Sequence, residues 1–550
     1  MPQSLVQAQK SNDWPKWRAA IEKEVGGLVG TPVWEEVDRS TMPAGLQTAK
    51  SQLIFSIKED GTFKVRFVLR GDLLEKGVHY LEGASSMCAV ESTRMLVSFA
   101  AAEDMALHTI DFTQAFTNAP QPNPHLYCEL PDLPDELKGK ICGGGKHKLK
   151  VGHLKRNLYG DVQAGRVWEQ YIRHWIIKNV EGARFYINDR NAFEWSFEGE
   201  TLRGVVHVDD VLFAVSGSKI RAAFVSKLAA AFKVTGGVEE ATKFCGLQID
   251  RDWANHTVRL HQRAFAEALV KKYEPGTGRA AAMPYLTTKE KLIPHDTEAA
   301  SDSEKFEYMC MIGDLTWYSR TNPGIAWRAA DLARHMQNPA PDHIEAARYV
   351  MRYIADNLDA GLTYHGSKSV LTQSYDHTNT LVAVVDAGFR HEGDFNTSGA
   401  AILMNGAAIA WKTRRQTTIS LTTAEAEVKA CSVVVEMIRS LTDLHGEFTH
   451  SLHATVRTMI DSVGAESQVT RGLDNKACAS YKRAQHHYCE DARDTAVMWL
   501  DRVPCELNAA DQLTKRVKCE KDFRFANGVL SGARPELYES AAVLKILSKP

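Results

Sequence analysis

The chain has 550 residues, too many for one compact domain, because domains usually hold about 100–200 residues. Hydrophobic residues make up 44% of it and charged residues 24%, which excludes a disordered chain, a collagen-like chain and a membrane-spanning bundle. Sixty-six Lys and Arg against 68 Asp and Glu leave a net charge of −2, so a polyanionic partner would need a local concentration of positive charge.

Cysteine usage and the hydrophobic profile indicate an intracellular compartment. The ten cysteines form no C-x-x-C pair, which is typical of reduced thiols. The N-terminal residues are polar and contain no apolar signal core, and no run of about 18 apolar residues occurs that could span a membrane. We therefore expect neither secretion nor membrane insertion.

In chain order, the hydrophobic pattern first predicts a helix and a strand over residues 14–38. Alternation over residues 54–69 predicts a β-hairpin that turns at Asp60-Gly61. A helix is predicted over residues 95–103 and a strand over residues 107–112.

Residues 205–215 are predicted as two short strands joined at Asp209-Asp210. A stretch rich in Pro, Gly and Thr over residues 274–303 is the predicted linker. Helices are predicted over residues 306–357, and after a polar break an α/β pattern continues to about residue 516.

The first group of candidate functional residues is acidic. Asp209 and Asp210 interrupt an apolar run, and burying two adjacent carboxylates is costly unless something compensates them. A solvated hairpin turn explains this pair equally simply, because Asp is a favoured turn residue. Asp111 ends another predicted strand, however, and three carboxylates at strand ends can hold two divalent ions for phosphoryl chemistry. Mg²⁺ suits this role because it prefers oxygen ligands and shares them with phosphates.

A second acidic group follows in the C-terminal part. Asp386 and Asp461 end apolar strands, Glu427 lies near the start of a predicted helix, and Asp511 lies in NAADQLTK. Together, four such acids can hold two metal ions that activate water against a phosphodiester. Taken singly, each is explained as a helix cap or a solvated acid.

Several segments then resemble a known family. KVRFVLRG, TIDFTQAFTNA, LKRNLYGDVQAGRVW, VHVDDVL, KFCGLQI and IGDLTWYSRTNPGIAW occur in the order typical of the reverse transcriptase of copia-type LTR retrotransposons. VVDAGF, TTAEAEVKA, TMIDS and ELNAADQLTK resemble the ribonuclease H domain of the same elements. The resemblance covers roughly residues 14–516.

The resemblance implies a mixed α+β and α/β multidomain fold, in which a right-hand polymerase with fingers, palm and thumb precedes a ribonuclease H-like α/β domain. We expect fingers and palm over residues 1–270 and a linker with a helical thumb or connection over residues 271–375. The ribonuclease H-like domain is expected over residues 376–516 and a C-terminal tail over residues 517–550.

The resemblance also assigns roles to the acids. It implies two Mg²⁺ ions per active site, with Mn²⁺ as an alternative, held by catalytic carboxylates in both domains. In the second domain, alignment of the following apolar residues matches Glu427, rather than Glu425, to the catalytic glutamate. The implied metal ligands are Asp111, Asp209 and Asp210 in the polymerase and Asp386, Glu427, Asp461 and Asp511 in the nuclease.

Five residues are implied to bind the nucleotide. Phe116 matches an aromatic gate against the ribose 2′-hydroxyl, and Gln163 matches a glutamine that lines the incoming nucleotide. Lys64, Arg66 and Arg70 lie at or near the cations expected to touch the triphosphate. Without the family, Phe116 is explained as a core aromatic, Gln163 as an ordinary polar residue and the cations as the outer face of a strand.

Two segments supply local positive charge. Residues 138–160 carry seven Lys or Arg and no acid, and either bind phosphates or form a solvated lysine loop. The segment Trp411–Arg415 either contacts an RNA–DNA hybrid or forms a solvated turn. The GGGK of residues 143–146 lacks the spacing of a phosphate-binding P-loop, and His486, His487 and Cys489 match no standard zinc motif.

Three features depart from the family pattern. His207 replaces the usual Tyr before V-D-D, Gly165 replaces a Pro, and residues 471–494 diverge from the family. A histidine beside two aspartates could titrate near neutral pH. None of the departures removes an implied metal ligand.

The implied function is that of an RNA-directed DNA polymerase whose ribonuclease H domain cleaves the RNA strand of the hybrid. Its partners would be an RNA template, a DNA primer, the RNA–DNA hybrid and deoxynucleoside triphosphates, with other polyprotein products as further partners and no membrane. A cytoplasmic virus-like particle or the nucleus is the expected location. The alternative is a truncated or decayed copy that binds nucleic acid but lacks one or both activities.

Overall fold

The computed structural model describes residues 1–58, 61–130, 133–134, 136–137, 149–276, 280–285, 292, 300–366, 378–389, 396–451, 455–471 and 483–533. Parts of several predicted features lie outside these residues: Asp60 of the hairpin turn, residues 138–148 of the basic stretch with its GGGK, most of the linker, and parts of the divergent stretch and of the tail.

The described elements are given in chain order. The helices are α1 Leu5–Gln9, α2 Trp14–Gly30, α3 Val90–Ala102, α4 Ala115–Asn118, α5 Ala164–Asn179, α6 Ser218–Ala231, α7 Arg263–Tyr273, α8 Asp302–Tyr318, α9 Ala326–Ala333, α10 Pro341–Asp356, α11 Thr423–Thr449, α12 Val463–Arg471, α13 Arg483–Asp494 and α14 Glu520–Ser531. The first strands are β1 Trp34–Asp38, β2 Ser51–Ile57, β3 Phe63–Leu69, β4 Ala106–Phe112, β5 Tyr127–Cys128, β6 Lys150–Leu154, β7 Arg184–Phe185, β8 Ala192–Phe197, β9 Glu200–His207 and β10 Asp210–Val215. The remaining strands are β11 Val234–Glu240, β12 Lys243–Phe244, β13 Leu247–Asp252, β14 Thr257–His261, β15 Gly361–His365, β16 Val382–Gly388, β17 Thr397–Met404, β18 Ala407–Arg415, β19 Val456–Ile460 and β20 Met498–Arg502.

The N-terminal body contains the predicted hairpin. Strands β2 and β3 pair antiparallel, from Ser51 opposite Leu69 to Ile57 opposite Phe63, so the predicted hairpin is confirmed. Helix α2 packs on it through one apolar face, and the ring of Trp17 meets that of Phe55 edge-on at 5.3 Å. A second small sheet has the order β1-β6-β5.

A six-stranded sheet forms the centre of the first half, with the order β11-β4-β10-β9-β8-β7 and antiparallel pairing throughout. Helices α5 and α6 bury their apolar stripes on one face of this sheet. Helix α3 covers the other face. Because both faces are covered, β10 is buried and apolar from Val211 to Val215, whereas β4 and β9 also bury His108 and Arg203.

The third body combines a four-stranded sheet with helices. Strands β12, β13 and β14 follow one another, and β15 pairs with β14 only after the helices α7 to α10. These four helices enclose their own apolar core.

The C-terminal sheet has the order β18-β17-β16-β19-β20. Strands β16 to β18 are antiparallel, whereas β16, β19 and β20 run parallel. Helix α11 packs on one face, while α14 and the 3₁₀ helix Ala509–Leu513 cover the other. Helix α14 thus packs on this sheet although its residues lie in the stretch expected to be a tail.

The six-stranded sheet, called the palm sheet below because it lies in the segment expected to be the palm, shares one hydrophobic core with the C-terminal sheet. Phe99 of α3 stacks on Phe448 of α11 with ring centroids 5.2 Å apart. The buried Arg94 of α3 lies 4.0 Å from the ring of Trp411, and its guanidinium donates to the carbonyl oxygens of Ile409 (3.0 Å) and Arg320 (2.5 Å). Helix α3 therefore joins three bodies. The predicted mixed α+β and α/β multidomain fold is confirmed, and in the described part of the chain we find no helix with the length and hydrophobicity needed to cross a membrane.

Two candidate carboxylate centres

The first centre lies at one end of the palm sheet. Asp111, near the end of β4, is directly opposite Asp210, the first residue of β10. Asp209 lies in the two-residue turn between β9 and β10. The antiparallel register therefore brings together the three acids that the sequence places in two separate strands.

The turn that carries Asp209 has an unusual backbone. Val208 has φ +56°, a left-handed conformation that β-branched residues rarely adopt and that stores strain. Two hydrogen bonds fix it: the indole Nε1 of Trp168 donates to the carbonyl oxygen of Val208 (2.6 Å), and the amide of Phe112 donates to that of Asp209 (2.8 Å). Helix α5 and strand β4 thus hold the turn in place.

The electrostatics of this centre favour a bound cation. Burial, together with the charges of Asp209 and Asp111, raises the pKa of Asp210 to about 6. Burial and the charge of Asp209 also raise the pKa of Asp111, against the opposing charge of Lys64. Crowded carboxylates of this kind are a donor set that fits Mg²⁺, whose charge would remove the repulsion.

His207 is half-buried beside the acids. Burial lowers its pKa, outweighing the attraction of Asp209, and its Nδ1 lies 3.4 Å from Sγ of Cys88. The imidazole is therefore neutral at pH 7 and adds no charge to the centre.

An aromatic pair lies next to the acids. The ring of Phe116 is 5.2 Å from that of Tyr159, and the guanidinium of Arg66 lies 5.0 Å from the same Tyr159 ring. The charges of Asp209 and Asp111 act on Tyr159 as well, although burial is the main cause that raises its pKa to about 12. Sequence reasoning missed Tyr159, although it lies in the LYG of a segment that was singled out.

Two of the five predicted nucleotide-binding residues have other partners. Gln163 is buried. Its side-chain Nε2 donates to Oε1 of Gln121 (3.0 Å), and its backbone N–H donates to Oδ1 of Asp161 (3.1 Å). The guanidinium of Arg70 binds Asp72 through two hydrogen bonds of 2.9 and 2.6 Å at the surface. The structure thus brings Lys64 within electrostatic reach of Asp111 and Asp209 and places Phe116 and Arg66 at the ring of Tyr159. Gln163 and Arg70 instead contact other polar residues.

The second centre lies on the C-terminal sheet. Carboxylate oxygens of Asp386, Glu427 and Asp461 all lie within 4.8 Å of one another. Asp386 comes from β16, Asp461 directly follows the neighbouring parallel strand β19, and Glu427 comes from the first turns of α11. Oε2 of Glu427 is buried without a hydrogen-bond partner among the described residues, an arrangement that fits a missing cation.

The neighbouring Glu425 has a different role. It lies 3.1 Å from Nζ of Lys429 and accepts a hydrogen bond from the amide of Leu421 (2.8 Å). These contacts fix the start of α11, where Thr422 caps the helix. The local interactions of Glu425 leave Glu427 as the glutamate that reaches the other acids.

Asp511 joins the second centre through a lysine. Nζ of Lys515 lies 3.3 Å from Oδ2 of Asp386 and 3.0 Å from Oδ1 of Asp511, and the hydroxyl of Thr514 also donates to Asp386. Burial opposes the charge of Lys515, but the two carboxylates outweigh it and raise its pKa. Burial raises the pKa of Glu427 to about 9 and that of Asp511 to about 7, with Asp386 adding to both. Sequence reasoning missed Lys515, although it lies in the ELNAADQLTK segment.

The other singled-out segments have mainly structural contacts. Trp411 packs under Arg94, whereas Lys412 is exposed. His487 pairs with Glu490 at 3.1 Å and Cys489 is buried; the side chain of His486 lies outside the described residues. Among the described residues, Asp386, Glu427 and Asp461 are the only three His, Cys, Asp or Glu residues whose ligand atoms all lie within 4.8 Å of one another, so the palm acids are more widely spaced.

Sequence comparison gives a consistent picture. The profile of a family described as "Reverse transcriptase (RNA-dependent DNA polymerase)" matches residues 33–287. The Retrovirus-related Pol polyprotein from transposon TNT 1-94 of Nicotiana tabacum is 23% identical over 533 residues, which cover 94% of this chain and 38% of that protein. That of transposon RE2 of Arabidopsis thaliana is 22% identical over 521 residues, covering 94% and 34%.

Over most of its length the chain is similar to the Pol polyproteins of copia-type retrotransposons. It spans little more than a third of the length of these relatives, 38% and 34% respectively. The palm centre falls inside the reverse transcriptase match, and the second centre lies C-terminal to it.

Solved structures show weaker likeness. The foamy viral protease-reverse transcriptase in complex with an RNA/DNA hybrid is 14% identical, with a TM-score of 0.47, and the match covers 89% of this chain and 54% of that one. RNase H1 from Halobacterium salinarum is 18% identical with a TM-score of 0.20, covering 24% of this chain and 94% of that one.

Proposed function

We propose that this chain is an RNA-directed DNA polymerase whose second centre cleaves the RNA strand of the RNA–DNA hybrid. The observation that carries the proposal is the pairing of Asp111 with Asp210 across β4 and β10, with Asp209 in the adjoining turn. Three converging carboxylates next to an aromatic and cationic surface suit a nucleoside triphosphate better than any uncharged substrate.

In the palm, Asp111, Asp209 and Asp210 would hold two Mg²⁺ ions, with Mn²⁺ as a substitute. Ions in such a site lower the pKa of the attacking 3′-hydroxyl and stabilise the leaving pyrophosphate. Lys64 and Arg66 would attract the triphosphate, while Phe116 would restrict the space at the sugar. Burial and the charges of Asp209 and Asp111 raise the pKa of Asp210, and a bound cation would favour its ionised form.

In the second centre, Asp386, Glu427, Asp461 and Asp511 would hold the metal ions of the ribonuclease H reaction, in which an activated water attacks a phosphodiester. The buried and unpartnered oxygen of Glu427 supports this role, because a buried carboxylate without a partner is costly. The substrates would be an RNA template, a DNA primer and the hybrid, recognised by backbone and shape rather than by base sequence.

The polymerase proposal is tested by primer extension on an RNA template with Mg²⁺. Asp209→Asn should abolish extension while leaving ribonuclease H cleavage intact, because it removes one metal ligand of the palm alone. Asp252→Asn, which changes an exposed acid of β13, is the matched control and should extend like the unaltered chain. Extension that survives Asp209→Asn would contradict the palm assignment.

The nuclease proposal is tested on a hybrid with labelled RNA. Glu427→Gln should abolish RNA cleavage and spare extension, whereas Glu436→Gln, an exposed position of the same helix, should do neither. If the unaltered chain neither extends nor cleaves although it melts cooperatively and binds the hybrid, the decayed-copy alternative replaces the proposal.

The nucleotide surface is tested by Phe116→Ala. If Phe116 limits the space at the sugar, the variant should incorporate ribonucleotides more readily than the unaltered chain, with its KM for deoxynucleotides changed far less. Phe185→Ala, on a palm strand remote in sequence, is the control. Unchanged sugar selectivity would remove Phe116 from the nucleotide site.

A further inference from the structure

The ammonium group of Lys515 divides the acids of the second centre into two parts, one that pairs with it and one that does not. Lys515 bridges Asp386 and Asp511 with Nζ–oxygen distances of 3.3 and 3.0 Å. By contrast, no described Lys or Arg forms an ion pair with Glu427 or Asp461. Asp386 belongs to both parts, because it also lies within 4.8 Å of Glu427 and Asp461.

The bridge that Lys515 forms between Asp386 and Asp511 is largely shielded from water. The side chain of Lys515 is 21% exposed, that of Asp386 is 1% exposed and that of Asp511 is 22% exposed. An ion pair shielded from water interacts more strongly than one at the surface, so the ammonium group neutralises much of the charge of these two acids. Glu427 and Asp461 feel the charge of Lys515 only from a distance, since neither forms a direct ion pair with it among the described residues.

We propose that Lys515 is the resident counter-ion of the Asp386–Asp511 pair and that a divalent cation binds this pair only by displacing the ammonium group. The inference rests on the proposed nuclease function, since it takes these acids as metal ligands. It makes Lys515 a positioning residue: in the absence of metal it holds Asp511 against Asp386, and it sets the concentration at which a second ion binds.

The structure gives the displaced side chain somewhere to go. Lys515 retains a solvent-exposed fraction, so its flexible stem can swing outwards while the hydroxyl of Thr514 keeps its hydrogen bond to Asp386. Two ions should therefore bind with unequal affinity, the tighter one between Glu427, Asp461 and Asp386 and the weaker one between Asp386 and Asp511, in competition with Lys515.

The test measures Mn²⁺ binding directly, by the electron paramagnetic resonance of the free ion, without nucleic acid. The full-length chain carries Asp111→Asn and Asp209→Asn, so that ions in the palm do not contribute. In this background Lys515→Met should tighten the weaker ion by about ten-fold or more, because a competing charge is removed. Lys515→Arg keeps the charge and should leave the weaker ion weak, and Lys412→Met, at an exposed position, should change nothing.

The outcomes separate the inference from the function on which it rests. If Asp386→Asn binds as many ions as the background chain, the nuclease centre is wrongly assigned and the inference falls with it. If Asp386→Asn loses ions but Lys515→Met binds the weaker ion no more tightly, only the role of Lys515 is overturned. Thermal melting verifies that each variant folds. If Lys515→Met does not fold, Lys515→Gln takes its place.

Discussion

The indole nitrogen of Trp168 donates a hydrogen bond to the carbonyl oxygen of Val208 over 2.6 Å. Trp168 is fully buried in α5, whereas Val208 is the strained residue of the turn that presents Asp209. A helix on the back of the palm sheet thus holds the acidic turn in a conformation that a valine would otherwise leave.

Removal of this bond should separate turn geometry from metal chemistry. Trp168→Phe keeps an aromatic ring but loses the donor, so we expect a loss of stability of about 1–2 kcal/mol. Primer extension should fall by roughly ten-fold or more, because a misplaced Asp209 raises the activation barrier and each added 1.4 kcal/mol slows the reaction about ten-fold. RNA cleavage should be unchanged. Trp175→Phe on the same helix is the control, and equal loss of extension in both variants would contradict a specific role for the bond.

A second prediction concerns Gly160, the last residue of the LYG segment, which packs against the end of β3. Gly160 has φ +83°, and a Cβ there would overlap the carbonyl oxygen of Leu69. Gly160→Ala should lower the free energy of unfolding by several kcal/mol, since it adds a backbone clash to the strain of positive φ. Gly199→Ala, with φ +81° and no atom within 4 Å of the added Cβ, should cost only about 1 kcal/mol. Similar losses measured by denaturant unfolding would show that the close approach is unimportant.

Arg94 should be essential for the junction between palm and C-terminal sheet. Arg94→Met leaves the carbonyl oxygens of Ile409 and Arg320 without their donor and removes the stack on Trp411, which should cost about 2–4 kcal/mol. Amide hydrogen exchange should rise in α3 and β18 together. Arg18→Met, which breaks an exposed ion pair with Glu136, should cost less than about 1 kcal/mol. Faster exchange in α3 alone would show that Arg94 does not couple α3 to β18.

The helical body should be sensitive to acid. Burial, together with the stacked His343, lowers the pKa of His335 from 6.5 to about 4. At His335 the unfolded chain therefore binds more protons than the folded chain between these two values, so the contribution of His335 to stability should be constant above about pH 7 and fall as the pH drops from 6.5 towards 4. His335→Gln should flatten this dependence in urea unfolding at fixed pH values, whereas the exposed His174→Gln should leave it unchanged. An unaltered slope in His335→Gln would contradict the assignment.

Sequence reasoning selected most acids of both centres because they interrupt an apolar pattern at a strand end or a helix start; Asp511 is the exception and lies within the 3₁₀ helix Ala509–Leu513. It could not find Lys515 or Tyr159 as partners of those acids, because a lysine or tyrosine in a short segment carries no sign of what it faces after folding. The partner of Gln163 could not be predicted either: its side-chain amide donates to Gln121, and no spacing in the sequence indicates that these two residues meet. Arg94 looked like an ordinary helix residue, since the groups that it binds lie more than 200 positions away.

The shared core on α3 also has a consequence for synthesis. Residues of α3 emerge from the ribosome long before their apolar partners in β16 to β18 and α11, which end at Thr449. Until then the apolar side of α3 that faces away from the palm sheet is uncovered, and such surfaces attract chaperones or other nascent chains. The part of the chain that ends before β16 should therefore aggregate when it is produced alone, whereas co-production of residues 378–533 should recover it in the soluble fraction.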